Sequence, residues 1–147
     1  MKSKLKLRLV TPERVVYEAE VDQVTAMTEA GEITILPGHI PLVSTLRSGE
    51  LRTKTDGKEE LLVASTGFIE VRPGNEIVVL ADTAERAEEL DIASIEAARD
   101  RAKKALEEAR HEEDVDFTAL ASSLERELAR HRVALKRKKY KDVGGDR

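Results

Sequence analysis

The run Phe68-Ile69-Glu70-Val71-Arg72-Pro73-Gly74-Asn75-Glu76-Ile77-Val78-Val79-Leu80 reads as two short strands about a single turn. Proline presets φ, and glycine and asparagine tolerate left-handed backbone. Pro73-Gly74-Asn75 therefore reverses the chain between two runs rich in residues that suit a pleated sheet. The same pattern extends toward the N-terminus. Leu5, Leu7 and Leu9 alternate with Lys4, Lys6 and Arg8, the period of a strand with one face in water, and the cations would guard an edge. Val15, Tyr17, Ala19 and Val21 alternate with Glu18, Glu20 and Asp22, and Ile33 and Ile35 do so before Leu36-Pro37-Gly38. Further strands are expected at residues 42–46, 50–55 and 60–64, with Gly57 marking a turn. Roughly eight to ten short strands within about 80 residues, with no helical period between them, predict an antiparallel sandwich or flattened barrel.

Past residue 80 the pattern changes. Glycine falls at 31, 38, 49, 57, 67 and 74 and then not until 144 and 145, and the prolines lie at 12, 37, 41 and 73. From Asp82 the apolar spacing is helical. Asp91 is the expected N-cap of a helix through Ala109, and the stripe Ala98, Ala102, Ala105 and Ala109 is small enough for a second helix to approach closely. After His111-Glu112-Glu113-Asp114, Asp116 can cap a second helix in which Leu120, Leu124, Leu128 and Leu135 form one stripe, with His131 either packed or at its edge. So short a link folds the helices into an antiparallel hairpin. Few large side chains oppose an ordering cost of about 1–2 kcal/mol per residue, so the hairpin is expected to be detachable. The expected fold is thus an N-terminal antiparallel β-sandwich over residues 1–83 followed by a C-terminal antiparallel two-helix hairpin over residues 84–147.

The 147 residues are 40% apolar and 37% charged, too apolar for general disorder and too charged for one fully packed globule. Absence of cysteine excludes disulfide frameworks, thiolate zinc sites and cysteine nucleophiles. The opening MKSKLKLRLV supplies neither the ~7 consecutive apolar residues of a signal peptide nor the ~18 of a membrane span, so a soluble chain of the cytosol is expected. No phosphate-binding glycine loop, dinucleotide fingerprint or nucleophile elbow occurs, and His39, His111 and His131 lack metal-ligand spacing. A familiar catalytic site, a metal or a required cofactor is therefore not expected.

Charge is unevenly placed. Residues 1–81 carry 10 basic and 12 acidic groups, residues 82–125 carry 6 and 14, and residues 126–147 carry 9 and 3, giving −2, −8 and +6. The basic run Arg126, Arg130, Arg132, Lys136, Arg137, Lys138, Lys139 and Lys141 is either a solvated helix face or a docking surface for an acidic protein, nucleic acid or anionic lipid. With Tyr140 its one aromatic, the run supplies base stacking poorly, which favours a protein partner. His39, after a Pro-Gly turn, is either a partner-contact residue or a hydrogen-bonded loop histidine.

Four segments taken in order carry a resemblance. They are Gly31-Glu32-Ile33-Thr34-Ile35-Leu36-Pro37-Gly38-His39-Ile40-Pro41-Leu42, Thr66-Gly67-Phe68-Ile69-Glu70-Val71, Val79-Leu80-Ala81-Asp82-Thr83-Ala84-Glu85-Arg86 and Asp114-Val115-Asp116-Phe117. Over essentially its whole length the chain resembles the epsilon subunits of bacterial F-type ATP synthases. The resemblance implies a non-catalytic subunit of a proton-translocating synthase, peripheral on the cytoplasmic face of the cell membrane. Its sandwich would clamp the gamma subunit and sit on the c-ring as part of the rotor, with Glu32, Pro37, Gly38 and His39 at that contact. The hairpin would be a mobile regulatory element that inhibits ATP hydrolysis by docking beside the alpha and beta subunits of the head.

For that docking the resemblance points to Arg126, Arg130, Arg132, Lys136, Arg137, Lys138 and Lys139, cations facing an acidic surface at ~0.2–1 kcal/mol each. Some members of the family also hold regulatory ATP in the folded hairpin. The matching positions here are Glu85, Leu90, Asp91, Arg101, Arg126 and Arg130, but Ser94 replaces the arginine and Ile95 the alanine of the family motif. Losing a guanidinium removes a charge-assisted phosphate contact of roughly 1.5–3 kcal/mol. The alternative from another class is a free-standing adaptor whose basic helix binds nucleic acid or an acidic protein. Co-purification separates the two: a rotor subunit brings the ATPase head, and an adaptor comes alone or with RNA.

Overall fold

The computed structural model describes residues 3–110, 112 and 116–144, with side-chain surroundings through residue 139. Positions 111 and 113–115 of the expected link, including its Asp114-Val115, lie outside the described residues. Contacts divide the chain into two units, Met1–Ala87 and Glu88–Arg147.

Among the described residues the first unit holds nine strands: β1 (Leu5–Val10), β2 (Val15–Val21), β3 (Gln23–Thr28), β4 (Gly31–Ile35), β5 (Leu42–Thr55), β6 (Lys58–Ala64), β7 (Gly67–Arg72), β8 (Glu76–Ala81) and β9 (Ala84–Arg86). Their order is β2-β1-β8-β7-β5-β3-β4, with β6 beside β5 and β9 beside β6. β5 serves both layers of the sandwich. Its residues 42–46 pair with β7 and residues 49–55 with β6. Gly49 lies where the partners change, and a Cβ there would come within 3.0 Å of Met27 Cγ on β3. Across the core the Tyr17 hydroxyl of β2 meets Thr53 Oγ1 of β5 at 3.4 Å. The described pairings are antiparallel apart from β1 with β8, strands too distant in sequence to be bound by hairpin geometry.

The core follows the alternation. Leu5, Leu7 and Leu9 are 1%, 1% and 0% exposed, and they pack with Val21, Ile35, Leu51, Ile69, Ile77 and Val79. Each such side chain contributes about 1.5–3 kcal/mol on burial. Several expectations are corrected. The strands at 42–46 and 50–55 are one continuous β5. β3 was not expected, because Val24, Thr25 and Ala26 are all buried and the two-residue period is hidden. β9 shows no period in three residues, so Ala84–Arg86, assigned by sequence to the helical part, instead extend the sheet against β6. Val15 leaves the inner face because the β1–β2 register shifts between Leu9 and Val10, a bulge that reverses the side-chain direction beyond it.

In the second unit, after a 3₁₀ turn over Ala87–Glu89, lie α1 (Ile92–Ala109) and α2 (Phe117–Gly144). Asp91, with φ −104° and ψ 114°, caps α1 by accepting from the Ala93 N–H at 3.3 Å. Asp116 Oδ1 does the same for Ala119 N–H at 3.1 Å. The helices run antiparallel, with His131 of α2 against Glu96 and Arg99 of α1. Ile95 and Ala109 are buried and Ala98, Ala102 and Ala105 half-buried, as the alanine stripe implies. On α2 the buried positions are Glu127, Ala129, Val133 and Ala134, whereas Leu135 stays 45% exposed. Leu120, Leu124 and Leu128 are half-buried, so the leucine row forms the edge of the buried face and not its centre.

Candidate functional site

Leu36-Pro37-Gly38-His39 forms a tight turn at the end of β4. The His39 N–H donates to the Leu36 carbonyl at 3.1 Å, Pro37 occupies the second position, and Gly38 at φ 85° occupies the third, where a positive φ is required. Asn75 Oδ1, in the turn between β7 and β8, accepts from the Gly38 N–H at 2.8 Å. His39 Nδ1 lies 2.7 Å from the Ile40 carbonyl, which can only accept, so this nitrogen carries the proton and Nε2 is left for another partner. Leu36 and Ile40 beside it are 52% and 74% exposed.

Glu32 does not belong to this loop. It lies at the start of β4, about five residues of extended chain from Pro37, on the order of 15 Å. There its carboxylate pairs with Arg52 Nη2 at 3.1 Å, and Arg52 Nη1 lies 3.6 Å from Glu50. The structure therefore brings Pro37, Gly38 and His39 together and sets Glu32 apart on the strand.

A larger surface lies on the outer face of the sheet. Cross-strand partners share a face, and the register aligns Thr45, Phe68, Leu80, Val10 and Val15 in one row across β5, β7, β8, β1 and β2. Phe68, Leu80 and Val15 are 55%, 51% and 46% exposed. The next row is Val43, Glu70, Val78, Arg8 and Glu18, with Val43 68% exposed, and beyond it Arg72, Glu76, Lys6 and Glu20 alternate in sign. The face thus grades from apolar to charged. Sequence reasoning missed it, although Ile77-Val78-Val79-Leu80 held the signal: four apolar residues in a strand whose outer face should be polar.

On α2, Glu127 is 6% exposed, with Arg130 Nη1 at 2.8 Å and Arg126 Nε at 3.8 Å. Of the basic run, Arg132, Lys138 and Lys139 are exposed, while Lys136 and Arg137 are half-buried. Of the residues matched to nucleotide binding, Glu85 lies in β9, Leu90 precedes the α1 cap, Asp91 is that cap and Arg101 is exposed on α1. Elsewhere, Lys4 Nζ bridges Asp22 and Asp56 at 3.1 Å each, and hydrogen bonds to Asp56 and Asp22 hold its pKa above the usual lysine value. Burial pushes the Tyr17 phenol up, and Arg86 stacks on its ring at 5.3 Å. Among the described residues there is no cluster of metal ligands, and no helix is long and apolar enough to cross a membrane.

Residues 4–87 match the family described as the ATP synthase delta/epsilon chain, beta-sandwich domain. The ATP synthase epsilon chain of Dehalococcoides mccartyi strain BAV1 is 45% identical over 141 residues, covering 96% of this chain and 99% of that protein. The Bacillus subtilis strain 168 ATP synthase epsilon chain is 42% identical over 111 residues, covering 76% and 83%. In fold, the chain resembles one in the Euglena gracilis mitochondrial ATP synthase OSCP/F1/c-ring structure. There the TM-score is 0.73 at 21% identity, covering 94% of this chain and 82% of that one. The nine-stranded unit, the two helices that follow it in sequence and these matches lead to one conclusion: the chain belongs to the family of ATP synthase epsilon chains, non-catalytic members of the synthase's central stalk.

Proposed function

We propose that this chain couples rotation of a membrane-embedded c-ring to the catalytic head of a proton-translocating ATP synthase, and that its helical unit restrains ATP hydrolysis. The observation that carries the first part is the apolar row of exposed Val15, Phe68 and Leu80 with half-buried Val10, and exposed Val43 beside it. Exposed apolar surface gathered on one face of a small unit favours a protein interface. The gamma subunit is the proposed occupant. The rows of alternating charge beside it would fix the register of that contact. The Pro37-Gly38-His39 turn, with Leu36 and Ile40 exposed beside it, is the proposed contact of the same unit with the rotor at its end, and Glu32 a separate contact along its side.

The regulatory part rests on charge. Arg132, Lys138 and Lys139 are exposed and can meet an acidic surface of the alpha and beta subunits, whereas Arg126 and Arg130 are engaged by Glu127 in the folded hairpin. That engagement, and the use of Asp91 as a helix cap, support a hairpin that needs no nucleotide to fold. Regulatory ATP is then dispensable. The proposed location, the cytoplasmic face of the cell membrane, follows from docking on the c-ring.

The test is reconstitution. Added to a head of alpha, beta and gamma subunits lacking epsilon, the full chain should bind only when gamma is present and should lower ATP hydrolysis. Binding that ignores gamma would overturn the rotor reading. Inhibition that persists after the chain is cut beyond Ala87 would overturn the role of the helices.

A further inference from the structure

We propose that Asn75 is the positioning residue of the Pro37-Gly38-His39 turn, selecting the backbone form in which that turn docks; the docking role itself rests on the rotor-contact reading above. Asn75 is held from two sides. Its backbone carbonyl accepts from the Lys6 N–H at 2.8 Å, which fixes it to β1. Its side-chain Oδ1 accepts from the Gly38 N–H at 2.8 Å, across 37 residues of sequence.

The bond falls on a decisive peptide. With proline second and a glycine at positive φ third, residues 36–39 form a type II turn. Type I and type II turns differ by a flip of the peptide between their second and third residues, here Pro37–Gly38. The Gly38 N–H takes no part in the bond that closes the turn, which runs from His39 N–H to the Leu36 carbonyl. Held by Asn75, that N–H cannot swing away, and the type II form is selected. The direction of the Pro37 carbonyl, which points opposite to that N–H, is selected with it, and so is the polar surface the turn presents beside His39.

Few side chains could do this. Asn75 itself has φ 61°, in the left-handed region. Glycine would supply that backbone without the acceptor, and alanine would supply neither. Asparagine and aspartate provide both a tolerance for this region and a short side-chain oxygen.

The experiment uses the full chain with Asn75→Gly and Asn75→Asp, and His39→Ala as a control. Exchange of the Gly38 amide is followed by NMR, and affinity is measured for an epsilon-free complex of alpha, beta and gamma subunits with the c-ring. Asn75→Gly should leave the melting temperature and strand signals in place, accelerate Gly38 exchange roughly two- to tenfold, the factor carried by one neutral hydrogen bond, and weaken binding by a similar factor. Asn75→Asp should restore both. Unchanged Gly38 exchange in Asn75→Gly overturns the proposal. So does faster exchange with unchanged affinity while His39→Ala weakens binding, because the turn would then dock without needing Asn75. If neither variant alters affinity, the turn is not a contact, and the rotor-contact reading fails together with the proposal.

Discussion

Replacing Phe68 and Leu80 together by alanine should weaken binding to a gamma-containing head by roughly 10- to 150-fold while the first unit stays folded. The two residues are direct cross-strand partners, 55% and 51% exposed. Full burial of a side chain of this size is worth about 1.5–3 kcal/mol, so covering the exposed half contributes about 0.8–1.5 kcal/mol for each. The pair then supplies about 1.5–3 kcal/mol, and about 1.4 kcal/mol corresponds to tenfold in affinity. Cost to folding is smaller, because the core residues on the opposite face are untouched; about 1 kcal/mol or less is expected. Affinity can be read by titrating labelled chain against the epsilon-free head, with a thermal melt of each variant as control. A double variant that melts like wild type and binds within threefold of it would refute the assignment of this face to gamma.

Other outcomes follow from the same structure. Alanine at Arg132, Lys138 and Lys139 together should raise ATP hydrolysis by the reconstituted head, about 0.2–1 kcal/mol of docking being lost per exposed cation; inhibition by wild type should also fade as salt is added. Arg130→Ala leaves the carboxylate of Glu127 with a weaker partner at 3.8 Å, so the helical unit should lose about 1–3 kcal/mol, and adding Glu127→Leu should recover much of it in helical melts by circular dichroism. Gly67→Ala should unfold the first unit or cost more than about 4 kcal/mol, because a Cβ there overlaps the Leu80 carbonyl. A chain ending after Ala87 should fold alone and bind gamma, whereas one ending after Thr83 should melt lower, since it lacks the three β6–β9 residue pairs and the stacking of Arg86 on Tyr17.

The parts that sequence could reveal were those in which one physical cause acts alone. Leu5, Leu7 and Leu9 face one core and alternate with charge, so their burial could be read directly. Asp91 and Asp116 cap helices through bonds to residues two and three positions on, which are local by nature. Where two surfaces claim a strand, the period disappears. β3 is buried at successive positions, and the β8 run Ile77-Val78-Val79-Leu80 turns apolar residues both inward and outward. Only the resemblance joins Glu32 to Pro37, Gly38 and His39, and the stretch of extended strand between them is not something a shared motif announces. The bond from Asn75 to Gly38 joins two turns 37 residues apart, and no local pattern announces it.

The parallel pairing of β1 with β8 has a consequence for the birth of the chain. Lys6 pairs with Glu76 and Val10 with Leu80, seventy residues further on. At a synthesis rate of about 5–20 residues per second, β1 leaves the ribosome roughly 4–14 s before its second neighbour exists. In that interval it can form only the hairpin with β2, and Leu5, Leu7 and Leu9 lie bare on one side of it. The cations between them, Lys6 and Arg8, then act as gatekeepers, keeping a nascent apolar strand from pairing with its neighbours on the same message until β8 arrives to close the sheet.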